Sequence, residues 1–211
     1  MKTKNLSQIL GATLFAAPML ALAATETPAG LDMKYSWSDR EVSAPAALTG
    51  TCPVHVVATE DARQNKETLG VSIGGPLLSG DASRWVSDGL VNLKNYGFTI
   101  DETTVATPPR DGITVKTSLT RAYTWQVGLK IFSMVALKAQ FIDKNGVLQE
   151  KYYRAHGDKT NMWGAASEYV TTLNYGLNNM LPVMASDLVS LCKGTKVEAY
   201  TYAGPEEPVK K

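Results

Sequence analysis

The sequence predicts an α+β fold, a two-layer sandwich in which two amphipathic helices pack on one face of a mainly antiparallel sheet. Three alternating segments between residues 113 and 156 predict a C-terminal β-meander. Apolar residues that recur at steps of three and four from Ala166 to Leu191 predict a long final helix. Because a sheet and an amphipathic helix must each bury an apolar face, we expect them to form the two layers of one domain.

The first half of the chain predicts two short strands and one helix. Residues 53–59 carry valines on both faces of an alternating pattern, and residues 69–73 fit a second short strand. Asp81 is a good N-cap for a helix over 82–96, because its carboxylate can accept hydrogen bonds from the first turn. Gly97 follows as a typical helix stop.

The second half predicts the meander and the final helix. Its strands are expected at 113–125, 129–142 and 147–156. Asn145-Gly146 predicts a tight hairpin turn between the last two strands, since both residues tolerate positive φ. Pro182 lies within the final helical pattern and is expected to kink or divide that helix, because it removes a backbone donor.

The two ends of the chain predict export and flexible segments. Lys2 and Lys4, an apolar stretch and Ala21-Leu22-Ala23 are typical of a cleaved secretory signal peptide. A lipobox would need a cysteine where Ala24 stands, so we expect a periplasmic protein without a lipid anchor. The predicted organisation is a signal peptide at 1–23, an Ala/Pro-rich N-terminal arm at 24–50, a single α+β domain at 51–202 and a flexible tail at 203–211.

Charge argues against a nucleic-acid partner, and hydropathy argues against a transmembrane helix in the mature sequence. The full chain has a formal net charge of +1, and the predicted signal peptide holds Lys2 and Lys4 but no acidic residue, so the exported part is nearly neutral. This argues against a nucleic-acid partner, which requires clustered cations. The mature sequence contains no apolar stretch of the ~18–20 residues that a transmembrane helix needs. Nothing in the sequence indicates an oligomeric state.

The cysteines predict a disulfide. Cys52 and Cys192 are the only two, and in an oxidising compartment an even pair most simply forms one bridge. A zinc site built from Cys52, His55, His156 and Cys192 is less favoured, because the Cys-x-x-His half-site has no matching second half. We therefore expect no metal and no cofactor. The chain has only two histidines, and no serine flanked by glycines opens a helix after a strand, so we expect no enzymatic activity.

Several short motifs follow one another in a familiar order. Residues 54–70 place Asp61-Ala62-Arg63 after a strand and end in Leu69-Gly70, and they resemble the opening of the YajG-type family of bacterial envelope lipoproteins. The Asn145-Gly146 turn and the final helix keep the family order, so the resemblance covers roughly 54–192. It implies a two-layer envelope accessory protein without catalytic residues. The missing lipobox and the two internal cysteines depart from the family pattern.

Two groups of residues are candidate contact surfaces. Asp61 and Arg63 form either an ion-paired turn or a recognition point. The aromatic residues either pack between sheet and helix or form a platform on an exposed face; they are Tyr123, Trp125, Tyr152, Tyr153 and Trp163. These features favour a non-enzymatic periplasmic accessory or binding protein that contacts cell-envelope components. The alternative is a carrier of a lipid or small hydrophobic ligand, held between the helices and the sheet.

Overall fold

The computed structural model describes residues 30–37, 46–72, 74–103, 111–161 and 165–203. The strands are β1 (Val54–Val57), β2 (Glu60–Asp61), β3 (Thr68–Ser72), β4 (Gly75–Leu78), β5 (Ile100–Thr103), β6 (Ile113–Val127), β7 (Lys130–Asp143), β8 (Gly146–Thr160) and β9 (Tyr200–Ala203). The helices are α1 (Ala82–Leu90), which continues as a 3₁₀ helix over Val91–Tyr96, and α2 (Ala166–Cys192). Both helices lie on one face of the sheet, as the predicted α+β class requires.

The sheet is mixed, with long antiparallel strands in the centre and short parallel strands beside them. Its order is β4-β3-β6-β7-β8-β9. β6, β7 and β8 form the predicted meander, and each extends for roughly 50 Å. β1, β2 and β3 follow one another in parallel along the other edge of β6, and β5 is parallel to β1. The sequence did not predict these parallel pairings.

A β-bulge in β6 changes which side chains face the helices. Between Leu119 and Arg121 the register with β7 shifts by one residue. Leu119 is buried before the bulge, whereas Ala122 is buried after it. Since alternate residues of a strand face opposite sides, the extra residue places Tyr123 and Trp125 on the side of the sheet opposite α2. We call that side the outer face.

The helix boundaries follow the predicted capping residues. The carboxylate of Asp81 accepts a hydrogen bond from the backbone N–H of Arg84 at 2.9 Å. The 3₁₀ helix ends at Gly97, whose φ of 94° lies in the left-handed region that glycine adopts without strain. α2 is one continuous helix although it contains Pro182, so the expected division does not occur. Residues before and after Pro182 are buried against the same sheet, and this packing holds the helix together.

α2 lies closest to the sheet at a group of small residues. A Cβ added to Gly157 in β8 would lie 2.4 Å from the carbonyl oxygen of Thr172 and 2.7 Å from the backbone nitrogen of Gly176. The hydroxyl of Ser133 in β7 donates to the same Thr172 oxygen at 2.6 Å. Apolar residues of α2 that are fully or almost fully buried form the rest of this layer; they are Tyr169, Leu173, Leu177, Met180, Leu181, Met184, Ala185 and Leu188.

Part of the predicted N-terminal arm is packed on the helices. Met33 is buried, and the backbone N–H of Leu31 donates to Leu78 at 2.9 Å. The buried side chain of Asn174 in α2 donates to the carbonyl of Lys34, and Asn178 accepts from the Tyr35 hydroxyl. Residues 30–37 therefore belong to the fold, in contrast to the arm expected over 24–50.

A disulfide joins the beginning and the end of the fold. Cys52 precedes β1 and Cys192 ends α2, and the two are bonded with a Cα–Cα distance of 5.8 Å. β9 follows this bridge and pairs in parallel with β8, so that Ala203, placed in the tail by the sequence prediction, lies in a strand. The predicted signal peptide and the remainder of the tail, 204–211, lie outside the described residues.

Candidate functional site

Five ring side chains form a continuous row on the outer face, across four strands. Tyr123 and Trp125 of β6 stack with their ring centroids 5.2 Å apart, and Trp125 stacks on Phe132 of β7 at 5.5 Å. The edge of His156 in β8 meets Trp125 at 5.8 Å, and Tyr202 of β9 meets His156 at 5.4 Å. We call these five residues the aromatic row. Trp125 touches three of the other four rings and is its centre.

The aromatic row continues into an exposed apolar region at one end of the sheet. Val127 and Leu129, at the turn between β6 and β7, are 63% and 73% exposed. Val71 of β3 is 64% exposed. A shallow cleft of about 620 Å³ lies between β3 and the end of β6, and Trp125 is in its wall. Trp125 thus lies between the other rings and this apolar end.

The surroundings of the row's histidine disfavour its protonated form. Burial lowers the pKa of His156, and the nearby positive charge of Arg154 lowers it further. The Nε2 atom of His156 is buried and has no hydrogen-bond partner among the described residues. Both observations fit a ring that serves as an aromatic surface between Trp125 and Tyr202.

The structure places Tyr152 and Tyr153, two other predicted aromatic residues, apart from this row. Tyr152 is on the outer face and 48% exposed, but it lies four residues before His156 in β8. The ammonium of Lys138 in β7 lies 5.9 Å from the centre of its ring. Tyr153 has the opposite orientation and is buried against α2, so its assignment to a contact surface is corrected. Trp163 lies outside the described residues. Phe132, His156 and Tyr202 were missed, because only strand pairing brings them beside Trp125.

Asp61 and Arg63 form a fixed ion pair. Arg63 Nε donates to Asp61 Oδ1 at 2.9 Å and Nη2 to Oδ2 at 2.7 Å, and only 3% of the Arg63 side chain is exposed. Partial burial raises the pKa of Asp61, but the hydrogen bonds from Arg63 outweigh it and hold the pKa below its ordinary value. The pair keeps the loop after β2 in place, as an ion-paired turn would.

The comparisons with known proteins show a shared fold. No family model and no curated protein matches the sequence. A Xanthomonas campestris protein of the family DUF330 superposes with a TM-score of 0.52 at 9% identity, over 74% of this chain and 94% of that one. A minor lipoprotein from Acinetobacter baumannii gives a TM-score of 0.42 at 6% identity, over 69% of this chain and 95% of that one. The PelC dodecamer from Paraburkholderia phytofirmans gives 0.37 at 16%, over 66% and 92%. The likeness to the Xanthomonas protein supports the fold alone.

A second polar cluster, which the sequence did not reveal, lies between β8 and α2. Lys151 is 2% exposed, and its Nζ lies 2.7 Å from Oδ2 of Asp187. The same oxygen accepts a hydrogen bond from the Tyr153 hydroxyl at 2.7 Å. Burial and the charge of Asp187 raise the pKa of Tyr153, so the hydroxyl keeps its proton. This cluster anchors α2 to the sheet.

The described residues offer neither a membrane span nor a metal cluster. Their helices are too short or too polar to cross a bilayer. Within the same ranges, no group of three His, Cys, Asp or Glu side chains is arranged to hold a metal ion. Cys52 and Cys192, which the less favoured zinc site would use, are bonded to each other.

Proposed function

We propose that the protein is a non-enzymatic accessory protein of the bacterial cell envelope that binds a partner protein through the aromatic row. The observation that carries this proposal is the row itself. Its rings lie on the outer face, away from the core between sheet and helices. A row of this kind is not needed to close the core, and it offers a partner a large preformed surface.

The physical chemistry of the row favours protein contact. Tyr and Trp are enriched among the residues that contribute most to interface affinity, because they bury a large area and have few rotamers to lose. The stacked rings hold Trp125 in place before a partner arrives. Leu129 and Val71 extend the apolar surface, and contiguous exposed apolar patches typically mark interaction sites.

Three features support an envelope location. The predicted signal peptide directs export, and the disulfide between Cys52 and Cys192 is of the kind that persists in an oxidising compartment. The short motifs of 54–192 resemble the YajG-type family, and we propose membership of the broader group of envelope accessory proteins on that basis. The near-neutral charge of the exported part agrees with recognition by shape more than by long-range electrostatics.

The structure gives less support to the carrier alternative. A carrier needs a cavity between the helices and the sheet, and in this layer α2 contributes side chains that are themselves fully buried, such as Leu177 and Met184. Gly157 brings the backbone of β8 against α2 at the middle of the same layer. Packed side chains and backbone occupy the space that a lipid chain would require.

Site-specific photo-crosslinking in living cells tests the proposed surface. A photoreactive phenylalanine analogue replaces Phe132 or Tyr202 in one pair of variants, and Val147 in a matched control. Val147 is 58% exposed but begins β8, about 30 Å along the strand from His156. We expect an adduct with one envelope protein from the first two positions and none from the third.

A second experiment combines Trp125→Ala with the variant that carries the photoreactive residue at position 132. Loss of the central ring should abolish the adduct at Phe132 while the thermal midpoint shows that the domain remains folded. Adducts of equal yield from Phe132 and Val147 would overturn the assignment of the surface. The absence of any adduct at both row positions would do the same.

A further inference from the structure

A cleft of about 510 Å³ lies beside the β-bulge of β6, next to the aromatic row. Its walls come from the loop after β2, from β3 and from β6 on either side of the bulge; they include Arg63, Asn65, Thr68, Thr120, Arg121 and Tyr123. The bulge exists where β6 passes from its pairing with β2 to its pairing with β3. The cleft is therefore built into the sheet edge.

Arg63 lines this cleft, and one of its donor atoms has no partner among the described residues. The residue is 5% exposed, and its Nε and Nη2 atoms are bonded to Asp61, with a further bond from Nη2 to Ser79 Oγ at 3.0 Å. Nη1 is buried and has no hydrogen-bond partner among the described residues. A buried donor on a charged group is costly to leave unpaired, so a ligand that reaches it gains a strong hydrogen bond.

The charges of the lining favour an anion. Arg121 is exposed and lines the cleft, and none of its lining residues is acidic. Asp61 neutralises Arg63 from the other side of the guanidinium, which leaves the charge of Arg121 uncompensated within the lining. Asn65 Oδ1 accepts hydrogen bonds from the backbone N–H groups of Glu67 and Thr68. These bonds hold the opposite wall of the cleft in a fixed turn.

We infer that this cleft binds the phosphate or carboxylate group of a small anionic molecule, with Arg121 as the outer contact and Arg63 Nη1 as the inner donor. Planar guanidinium groups match both anions in geometry. The ring of Tyr123 forms one wall and contacts the remainder of the molecule. The source of the anion is either a free small molecule or a lipid headgroup. Tyr123 also belongs to the aromatic row, but Arg63 and Arg121 bind the anion, so this inference and the proposed protein contact can each fail alone.

Nuclear magnetic resonance of the arginine side chains tests the site directly. The Nε–H signal of Arg63 is followed in the mature chain during titration with inorganic phosphate, with acetate, and with vesicles of phosphatidylglycerol or of neutral phosphatidylcholine. Arg121→Gln removes the outer contact. Arg84→Gln is the matched control, since it removes the same charge from an exposed arginine on α1 outside this cleft.

The expected result is a saturable shift of the Arg63 signal with phosphate or acetate, weakened about tenfold by Arg121→Gln, as the loss of one charged hydrogen bond predicts, and unchanged by Arg84→Gln. A response to phosphatidylglycerol vesicles alone identifies a lipid headgroup as the source. No saturable response to any probe, an equal response to phosphatidylcholine, or an equal loss in both variants would overturn the inference. The test substitutes Arg121 and leaves Arg63 in place, because replacement of Arg63 would also break its two hydrogen bonds to Asp61.

Discussion

The buried pair of Lys151 and Asp187 allows the size of one substitution effect to be worked out. The two side chains are only 2% and 14% exposed, so Asp187→Asn leaves a buried ammonium without a counter-charge. Breaking such a pair from one side costs about 3–5 kcal/mol. Asparagine retains an acceptor for the Tyr153 hydroxyl, which places the expected loss at the lower end, about 3 kcal/mol. For a domain of this size that corresponds to a fall in Tm of roughly 6–12 °C.

Urea unfolding followed by circular dichroism measures this loss. The matched control is Asp158→Asn, because Asp158 pairs on the surface with Lys130, which is 56% exposed, and such pairs contribute less than about 1 kcal/mol. Replacement of both buried partners, in Lys151→Met with Asp187→Leu, should recover part of the stability, since no unpaired charge remains and only the Tyr153 hydroxyl loses its acceptor. Equal losses for Asp187→Asn and Asp158→Asn would refute the reasoning.

Three further substitutions test other parts of the fold. Gly157→Ala should cost about 1–3 kcal/mol in urea unfolding, because its Cβ would meet the backbone of α2, whereas Gly74→Ala, with only ordinary contacts, should be nearly neutral. Reduction of the Cys52–Cys192 bridge should lower the free energy of unfolding by up to about 5 kcal/mol, the chain-entropy value for a separation of 140 residues; an unchanged denaturation midpoint in reductant would contradict this. The pKa of His156 is lower in the folded protein than in the unfolded chain, so on acidification the unfolded chain binds a proton at this residue first. The free energy of unfolding should therefore fall as the pH drops below about 6.5, and it should level off below the pKa of the folded state. His156→Gln should lose that part of the pH dependence, and an identical slope in the variant would count against it.

Local and periodic features of the sequence predicted much of the fold. Asp81 and Gly97 define the ends of a helical segment through capping, and the hairpin between β7 and β8 forms at the position that Asn145-Gly146 predicted. Its two turn residues are Lys144 and Asn145, and only Gly146, the first residue of β8, has the positive φ that was expected of both Asn145 and Gly146. These signals act between near neighbours in the chain, so they can be read without the tertiary structure. The disulfide was predictable for a different reason, since the sequence has only two cysteines and its predicted signal peptide indicates an oxidising compartment.

Features that depend on pairing between distant segments were not predictable. Strict alternation along β6 would carry Tyr123 and Trp125 to the same side as Leu119, and only the bulge reverses this. The partner of the Lys151 ammonium is on α2, far away in the sequence, so its burial gave no local signal. The sequence therefore predicted Tyr123 and Trp125 as candidate surface residues, while it did not predict the rings from β7, β8 and β9 that complete the aromatic row.

β9 lies outside the covalent loop that Cys52 and Cys192 close, and this has a consequence for the shape of the outer face. The strand has four residues, and in the described part of the chain it pairs with β8 alone. It can therefore detach while the disulfide keeps α2 joined to the start of β1. Detachment uncovers the hydrogen-bonding edge of β8 and removes Tyr202 from His156. Whether β9 is in place thus decides whether a partner meets a surface of five rings, or a surface of four with a free strand edge beside it.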